Sequence, residues 1–485
     1  MGFRRRSVMS GLLAIPLLLG ACAPAAPAAP TAAPVPAPTT APAPKPTTPP
    51  APAAPTAAPA PPTAAAQPAA AAQPTTAAAA AAATPTQLSA DFSLDLRYGV
   101  LAGLTGDGAA FGQPWNQAAG LAVDYINQTL KDTGLDGQFK LQLVDAQDTG
   151  GNAQQGVEAA KKLVSIDHAN IIIGDFFSAS TAAVAPAVTI PGKVLQFTGG
   201  TNPSLTKLNP PGQPTLLWQP VPADDLQGKV LAQLMAEQFG AGATVNVGIR
   251  NDAYGNGLGD VFKAAWTAQG GQIGKYVVYN PTQPTYDTEA QQLVEGDPAG
   301  WLFVDFCANW VKLVGPLQRT GKWDASRSYG GDSLTDCGGN AQVKDAAVPG
   351  FHSTSGNVKS GSSFPQFSKL FLAKVGGTTF NSGTSEAFDS VFVAFLAAVE
   401  EKSDDPTKIS AGITKITNPP GKDLSFTDLP DVLQLLLAGQ AVHFNGAGGG
   451  LNFDAGGRVT SSAYDIWQVN DDGSATIQRT IIFHG

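Results

Sequence analysis

From residue 94 onward, short apolar runs of strand length alternate with longer stretches of helical periodicity, and a chain patterned this way has few means of burying itself. Strands are expected near 94–102, 138–145, 169–174 and 193–198, with helices between them. The prolines of Leu216-Leu217-Trp218-Gln219-Pro220-Val221-Pro222 interrupt the rhythm, and Ala223-Asp224-Asp225 starts a new helix. The series then repeats, with strands near 243–250, 273–279, 300–305 and 327–331 and helices near 224–239, 254–269, 286–295 and 309–321. Such alternation calls for parallel sheets covered on both faces, so the expected fold class is α/β, built as two doubly wound Rossmann-like lobes. Roughly 400 residues of folded chain also exceed what one hydrophobic core usually holds. The repeat is architectural, with no repeat at the level of residues.

From Gly350 the pattern changes. Phe351-His352-Ser353-Thr354-Ser355 reads as a strand crossing between lobes, and helices near 362–374, 384–401 and 430–440 need a sheet to cover. Gly446-Ala447-Gly448-Gly449-Gly450 then leads to stretches 458–469 and 475–483, which alternate like antiparallel strands around an Asn470-Asp471-Asp472-Gly473 turn. The economical arrangement is two lobes joined by a hinge of several crossings.

The N-terminus is of another kind. Arg4-Arg5-Arg6 precedes an apolar run from Gly11 to Leu19, about half the roughly 20 residues a membrane-spanning helix needs, so this is a secretion signal. Leu19-Gly20-Ala21-Cys22 resembles the lipobox of bacterial lipoproteins, which implies cleavage before Cys22 and diacylglycerol on its sulfur. Residues 23–88 are almost only Ala, Pro and Thr, which cannot form a core. They read as a disordered tether that could reach at most about 200 Å at roughly 3.1 Å per residue. The expected location is outside the cytoplasm, on the membrane through the lipid alone. A net charge of −9 without a Lys/Arg block speaks against a nucleic-acid partner. The scattered His168, His352, His443 and His484 make no metal-ligand spacing, and neither metal nor cofactor is expected. Cys307 and Cys337 remain as an even pair in an exported chain, each a few residues beyond one of two consecutive strands, and a disulfide between them is expected.

Chemistry concentrates between Ile171 and Thr206. Two apolar strands there run straight into small hydroxylated residues and glycines: Ser178-Ala179-Ser180-Thr181 after the first, Thr198-Gly199-Gly200-Thr201-Asn202 after the second. Ligands of open parallel sheets bind outside the carboxyl ends of the strands, and hydroxyls with bare backbone suit a carboxylate. One such loop is explained by a helix cap and a turn; two together indicate a binding site. Enzyme readings fare worse. Gly106, Gly108 and Gly112 are spaced one residue too long for a dinucleotide fingerprint, and no nucleophile, base and orienter come together in a known motif.

Residues 93–485 resemble the type I periplasmic solute-binding proteins of ABC importers, in the branched-chain amino acid, urea and short-amide group. The resemblance rests on the order and spacing of short motifs: Leu104-Thr105-Gly106, Phe111-Gly112, Val123-Asp124-Tyr125-Ile126-Asn127, Ile173-Gly174, Ser178-Ala179-Ser180-Thr181, Gly200-Thr201-Asn202-Pro203, Asp252-Ala253-Tyr254-Gly255, Gly331-Asp332, Gly450-Leu451-Asn452-Phe453-Asp454 and Ile466-Trp467-Gln468-Val469. It implies a first lobe of 93–218 plus 357–445 and a second of 219–356 plus 446–485. It also implies a monomeric binding lipoprotein that takes an amino acid with a hydrophobic side chain in the interlobe cleft and delivers it to ABC permease and ATPase subunits. The alternatives are urea or short-amide binding or sensing, and a surface lipoprotein without a transport role. The family's carboxylate clamp falls on Ser178, Gly200 and Thr201, its acidic ammonium partner on Asp332, and a tyrosine that closes over the ligand on Tyr254. Phe306 departs from the pattern, since the family often has there a tyrosine that helps hold the amine. Asp305 beside it either compensates by pointing inward or is a strand-end residue. Phe111 is expected to wall the side-chain pocket, while Trp115, Phe176, Phe177 and Trp310 are spaced as for core or pocket.

Overall fold

The computed structural model describes residues 87–335, 337, 345, 347–357, 359–376 and 383–484; the leader, Cys22 and the tether up to Thr86 lie outside them. The first strands and helices are β1 (Leu94–Ala102), α1 (Ala109–Thr133), β2 (Phe139–Asp148), α2 (Ala153–Ser165), β3 (Ile171–Ile173), α3 (Ser178–Val184), β4 (Leu195–Phe197) and β5 (Leu217–Trp218). Side-chain chemistry sets their ends. Asn152 caps α2 by accepting the N–H groups of Gln154 and Gln155, and Gly134 closes α1 in the left-handed conformation at φ 80°. These strands form one parallel sheet in the order β2-β1-β3-β4-β5. β5 falls in what the sequence reading treats as a proline-broken connector. Its two residues pair with Gln196 and Phe197, and the prolines begin only after the pairing residues.

The chain continues through α4 (Asp224–Phe239), β6 (Thr244–Arg250), α5 (Ala253–Ala268), β7 (Gln272–Tyr279), α6 (Asp287–Leu293), β8 (Gly300–Val304), α7 (Cys307–Arg319), β9 (Ser328–Gly330) and β10 (His352–Gly356). Next come α8 (Phe364–Val375), α9 (Thr384–Glu400), α10 (Pro406–Thr417), β11 (Lys422–Leu424), α11 (Leu429–Leu437), β12 (Val442–Phe444), β13 (Ser461–Val469) and β14 (Ala475–His484). The second sheet runs β14-β13-β10-β9-β8-β6-β7, with β13 and β14 antiparallel. Without those two, its parallel part has the same winding as the first sheet: second strand, first, third, fourth, fifth. Each sheet therefore has its topological switch point between its first and third strands.

Helices α8 to α11 return to the first sheet and pack around α1 and α9. Every residue of α9 from Thr384 to Val399 is buried, the run from Val391 onward apolar on all sides and the first turns carrying Glu386 and Asp389. Phe388 and Phe392 on it interlock with Phe426 and Phe444, at ring separations of 4.8–6.0 Å. The sequence reading places no element between 401 and 430, yet α10 and β11 lie there. The helical period of α10 rests on just three buried isoleucines, Ile409, Ile413 and Ile416. Asp405 caps it, Pro406 opens it, and Gly412 lets it approach α9, where a Cβ would lie 2.9 Å from the Ala397 carbonyl. Three segments run between the sheets, after β5, β10 and β12. Asn357 N–H donates to Ala463 O at 2.7 Å and Gln219 N–H to Gly457 O at 2.7 Å, which knits them together. Cys307 and Cys337 form a disulfide with Cα atoms 5.4 Å apart. Among the described residues no helix is long and apolar enough to cross a membrane.

Candidate functional site

The loops that leave the two switch points face each other. Phe111 follows β1, Phe176 and Phe177 follow β3, Tyr254 follows β6 and Phe306 follows β8. Phe306 meets the rings of the first lobe across the cleft, Phe111 at 6.0 Å and Phe177 at 5.0 Å, while Phe111–Phe176 at 5.1 Å and Tyr254–Phe306 at 5.4 Å pack each within its own lobe. Gly108 is required for this arrangement, since a Cβ there would lie 1.8 Å from Phe177 Cζ. Trp115 belongs to the floor, with its indole N–H on Ile173 O at 3.3 Å and its ring edge-on to Phe176. Trp310 is not in the cleft. With Leu313, Val314 and Leu317 it forms the buried face of α7 and packs on Phe303 and Phe351 in the core of the second lobe.

On the first lobe the two hydroxyl-rich loops are stitched together by Asp175. Its carbonyl accepts Thr198 Oγ1 at 2.9 Å, Thr181 Oγ1 at 3.3 Å and Gly199 N at 3.0 Å. The Gly200 N–H, expected to face a ligand, instead donates to Thr198 Oγ1 at 2.9 Å, because the turn folds it back over its own strand end. Gly200 serves by its bareness: a Cβ would sit 3.0 Å from Ser178 N and Cα. Ser178 Oγ accepts Asn202 N–H at 3.2 Å, and its own proton remains to be donated.

The second lobe offers acid. Asp332, in the turn after β9, accepts the Tyr254 hydroxyl at 2.7 Å, and that hydroxyl also lies 2.7 Å from Ser333 Oγ. Tyr254 thus orients Asp332, rather than leaving its hydroxyl for a ligand. Burial raises the Asp332 pKa above the usual carboxylate value, opposed by the Tyr254 bond. Asp305 does not compensate for Phe306. Its fully buried carboxylate accepts Tyr279 OH at 2.9 Å, Asn309 Nδ2 at 2.8 Å and Phe306 N at 2.8 Å and pairs with Arg250 at 3.4 Å, all within its own lobe. Burial nevertheless pushes its pKa up to about 6. The Arg250 guanidinium lies over the Phe306 ring at 4.4 Å, which gives the phenylalanine a partner of its own.

A small cavity of about 10 Å³, room for about one water molecule, lies between the walls. Phe176, Gly199 and Thr201 line it from the first lobe, Gln227, Asp332 and Tyr464 from the second, and Val221, Pro222 and Gly356 from the hinge. Of the expected residues, Thr201 and Asp332 reach it directly; among the described lining residues Ser178, Gly200 and Tyr254 do not appear, and each instead touches one of the loops that do. Through Pro222 and Gly356 the cavity meets a wider one at the hinge, beside Glu386 and Asp389. Asp389 accepts Ala447 N at 2.8 Å and Gly448 N at 2.9 Å, and burial raises its pKa to about 8 and that of Glu386 to about 7.

Sequence reasoning passed over Asp224. It opens α4 fully buried, its N–H donates to Thr201 O at 2.8 Å, and neither carboxylate oxygen completes a hydrogen bond, although the Thr201 hydroxyl lies beside it. Burial first and the Asp332 charge second push its pKa well above the ordinary value. An acid in the first turn of a helix reads as a dipole partner, so nothing local marks it. The site as a whole sets uncharged donors against carboxylates. No group of His, Cys, Asp and Glu able to hold a metal ion occurs among the described residues.

The Leu/Ile/Val-binding protein BraC3 of Rhizobium johnstonii is 33% identical over 178 residues, 36% of this chain and 45% of that protein. The chain spans about half the length of the curated relatives it matches first. Two solved structures share the fold. The leucine binding protein LivK of Thermotoga maritima has a TM-score of 0.65 at 20% identity, covering 80% of this chain and 99% of that one. A solute binding protein of an R. palustris ABC transporter, in complex with 4-hydroxybenzoate, has a TM-score of 0.63 at 15% identity, covering 80% and 98%. Residues 95–474 match the family described as Periplasmic binding protein, a span that takes in the first sheet from Asp95, the second sheet up to β13 and every residue of the cleft, and the chain belongs to that family.

Proposed function

We propose that this protein is the binding component of an ABC importer: exported, anchored through Cys22, and monomeric, it takes an amino acid with an apolar side chain between its lobes and presents it to the permease and ATPase subunits. The observation that carries the reading is the cleft whose one wall holds Thr201, backed by Ser178, and whose other wall holds Asp332, with a cavity of about 10 Å³ that has to widen for a ligand to enter. A carboxylate is served by hydroxyl and backbone donors and an ammonium by the acid, so a zwitterion leaves no charge uncompensated. Phe176 on the cavity wall, with Phe111 and Phe177 packed against it and Phe306 facing those two, supplies apolar surface for the side chain. The names of the leucine-binding relatives agree with this. An aromatic carboxylate is a second reading, favoured by the same rings and by the hydroxybenzoate bound to the R. palustris protein. It leaves Asp332 facing an anion. A melting screen of the mature protein against the common amino acids, short amides, urea and benzoates decides between them. A ligand at about 100 times its dissociation constant stabilises by roughly 2.7 kcal/mol, and an apolar amino acid is expected to give the largest shift. A shift from a benzoate or an amide and from no amino acid would overturn the reading.

A further inference from the structure

The side chain of Asn202 reaches across the cleft. In the loop after β4 its N–H donates to Ser178 Oγ at 3.2 Å, its carbonyl accepts Leu205 N–H at 3.2 Å, and its Oδ1 accepts Ser204 N–H at 2.7 Å. The last of these is an Asx turn, which fixes the side-chain amide and leaves its Nδ2 hydrogens to find a partner elsewhere. That partner is in the other lobe: Nδ2 donates to the carbonyl of Ala253, the first residue of α5. The helix accommodates the contact at Gly257, one turn on, where a Cβ would lie 2.5 Å from Nδ2 and 2.9 Å from Cγ of Asn202. The bond joins the recognition residues of the two walls. Asn202 follows Thr201, which lines the cavity, and holds Ser178 by its N–H; Ala253 precedes Tyr254, whose hydroxyl orients Asp332.

We propose that Asn202 is the latch of the cleft, a positioning residue whose amide holds the loop carrying Thr201 against the helix carrying Tyr254 and so slows the escape of a bound solute. The inference goes beyond the amino-acid reading, because it holds for any solute around which the lobes close. The cavity of about 10 Å³ has to widen for a solute to enter, and parting the lobes separates Asn202 from Ala253. A carboxylate that accepts the Ser178 proton makes the same oxygen a better acceptor for the Asn202 N–H. Occupancy of the first wall therefore tightens the loop that bears the latch.

The test uses the mature protein with spin labels on Glu158→Cys in α2 and Gln269→Cys just past α5, two exposed positions on opposite lobes. Their separation is measured by pulsed electron resonance with and without L-leucine, in this background and with Asn202→Ala, Gly257→Ala or both added. Asn202→Ala is expected to lower the ratio of closed to open molecules by about 3- to 10-fold, the effect of one hydrogen bond. In unlabelled protein it should speed L-leucine dissociation by a similar factor at an unchanged association rate. Gly257→Ala, whose new methyl displaces the amide, should give a loss of the same size, and the double variant should be no worse than Asn202→Ala alone. Additive losses overturn the latch, because they give Gly257 a role that does not pass through Asn202. A closed fraction and a dissociation rate that Asn202→Ala leaves as in the wild type overturn it, and so does a wild type without a closed fraction in either state. Slower association at unchanged dissociation overturns it too, since that marks a damaged site. If the wild type binds no L-leucine, the amino-acid reading fails, and the closed fractions of the proteins without L-leucine decide the latch by themselves.

Discussion

In the first lobe the loops after the third and fourth strands of the winding carry Ser178, Gly200 and Thr201; in the second lobe the loops in the same places carry Phe306 and Asp332. The backbone scaffold is repeated and the chemistry is not. Winding order decides where loops converge, since both switch points lie at strand carboxyl ends. Residue type decides what converges there: donors without charge on one side, carboxylates on the other, and rings on both. Even the acids of the first lobe near the hinge, Glu386 and Asp389, are held toward the neutral form by burial. A cleft built from one winding used twice can therefore recognise a dipolar solute.

The largest break in this contrast should come from Asp332→Ala. If Asp332 pairs with an ammonium, removing it weakens leucine binding by about 100-fold to several thousand-fold, on the order of 3–5 kcal/mol, as measured by calorimetry. Wild-type affinity in a normally melting variant would mean that the second wall does not carry the recognition. Replacing Cys307 and Cys337 together by serine tests how that wall is held. Opening the 30-residue loop is expected to lower stability by about 3 kcal/mol in denaturant melts. It should also loosen Phe306 and Asp332, which adjoin the bridged ends, so affinity falls with stability. Ser178→Ala should cost less, about 1–3 kcal/mol of binding, because the Thr201 hydroxyl still serves the carboxylate. A loss as large as that of Asp332→Ala would erase the asymmetry between the walls. The last test concerns the neutrality of the first lobe. The folded pKa of Asp389, about 8, is raised above its unfolded value, so the native state keeps a proton that the unfolded chain has lost. Its stabilising effect is complete below about pH 4 and declines as pH rises toward the folded pKa, by about 1.4 kcal/mol per unit for one proton. Asp389→Asn should flatten the dependence of stability on pH between 5 and 8; an unchanged slope would show the first lobe charged.

The sequence by itself determined the two windings, the antiparallel end and the hydroxyl-rich loops, because strand and helix periods and turn residues are local properties that survive without neighbours. Leu217-Trp218 and α10 escaped it, one too short for a period and one with its period resting on three isoleucines. The side-chain roles were decided only in three dimensions. Asp305 and Asp332 both follow strands of the second sheet, yet one turns into Tyr279, Asn309 and Arg250 and the other faces the cavity. The Gly200 N–H bends back to Thr198, and Asp224, indistinguishable in sequence from an ordinary helix-opening acid, is buried beside the Thr201 hydroxyl. Hydrogen bonds and charge pairs are made with atoms brought from distant parts of the chain, so which donor is satisfied and which acid stays unpaired depends on the packed tertiary structure.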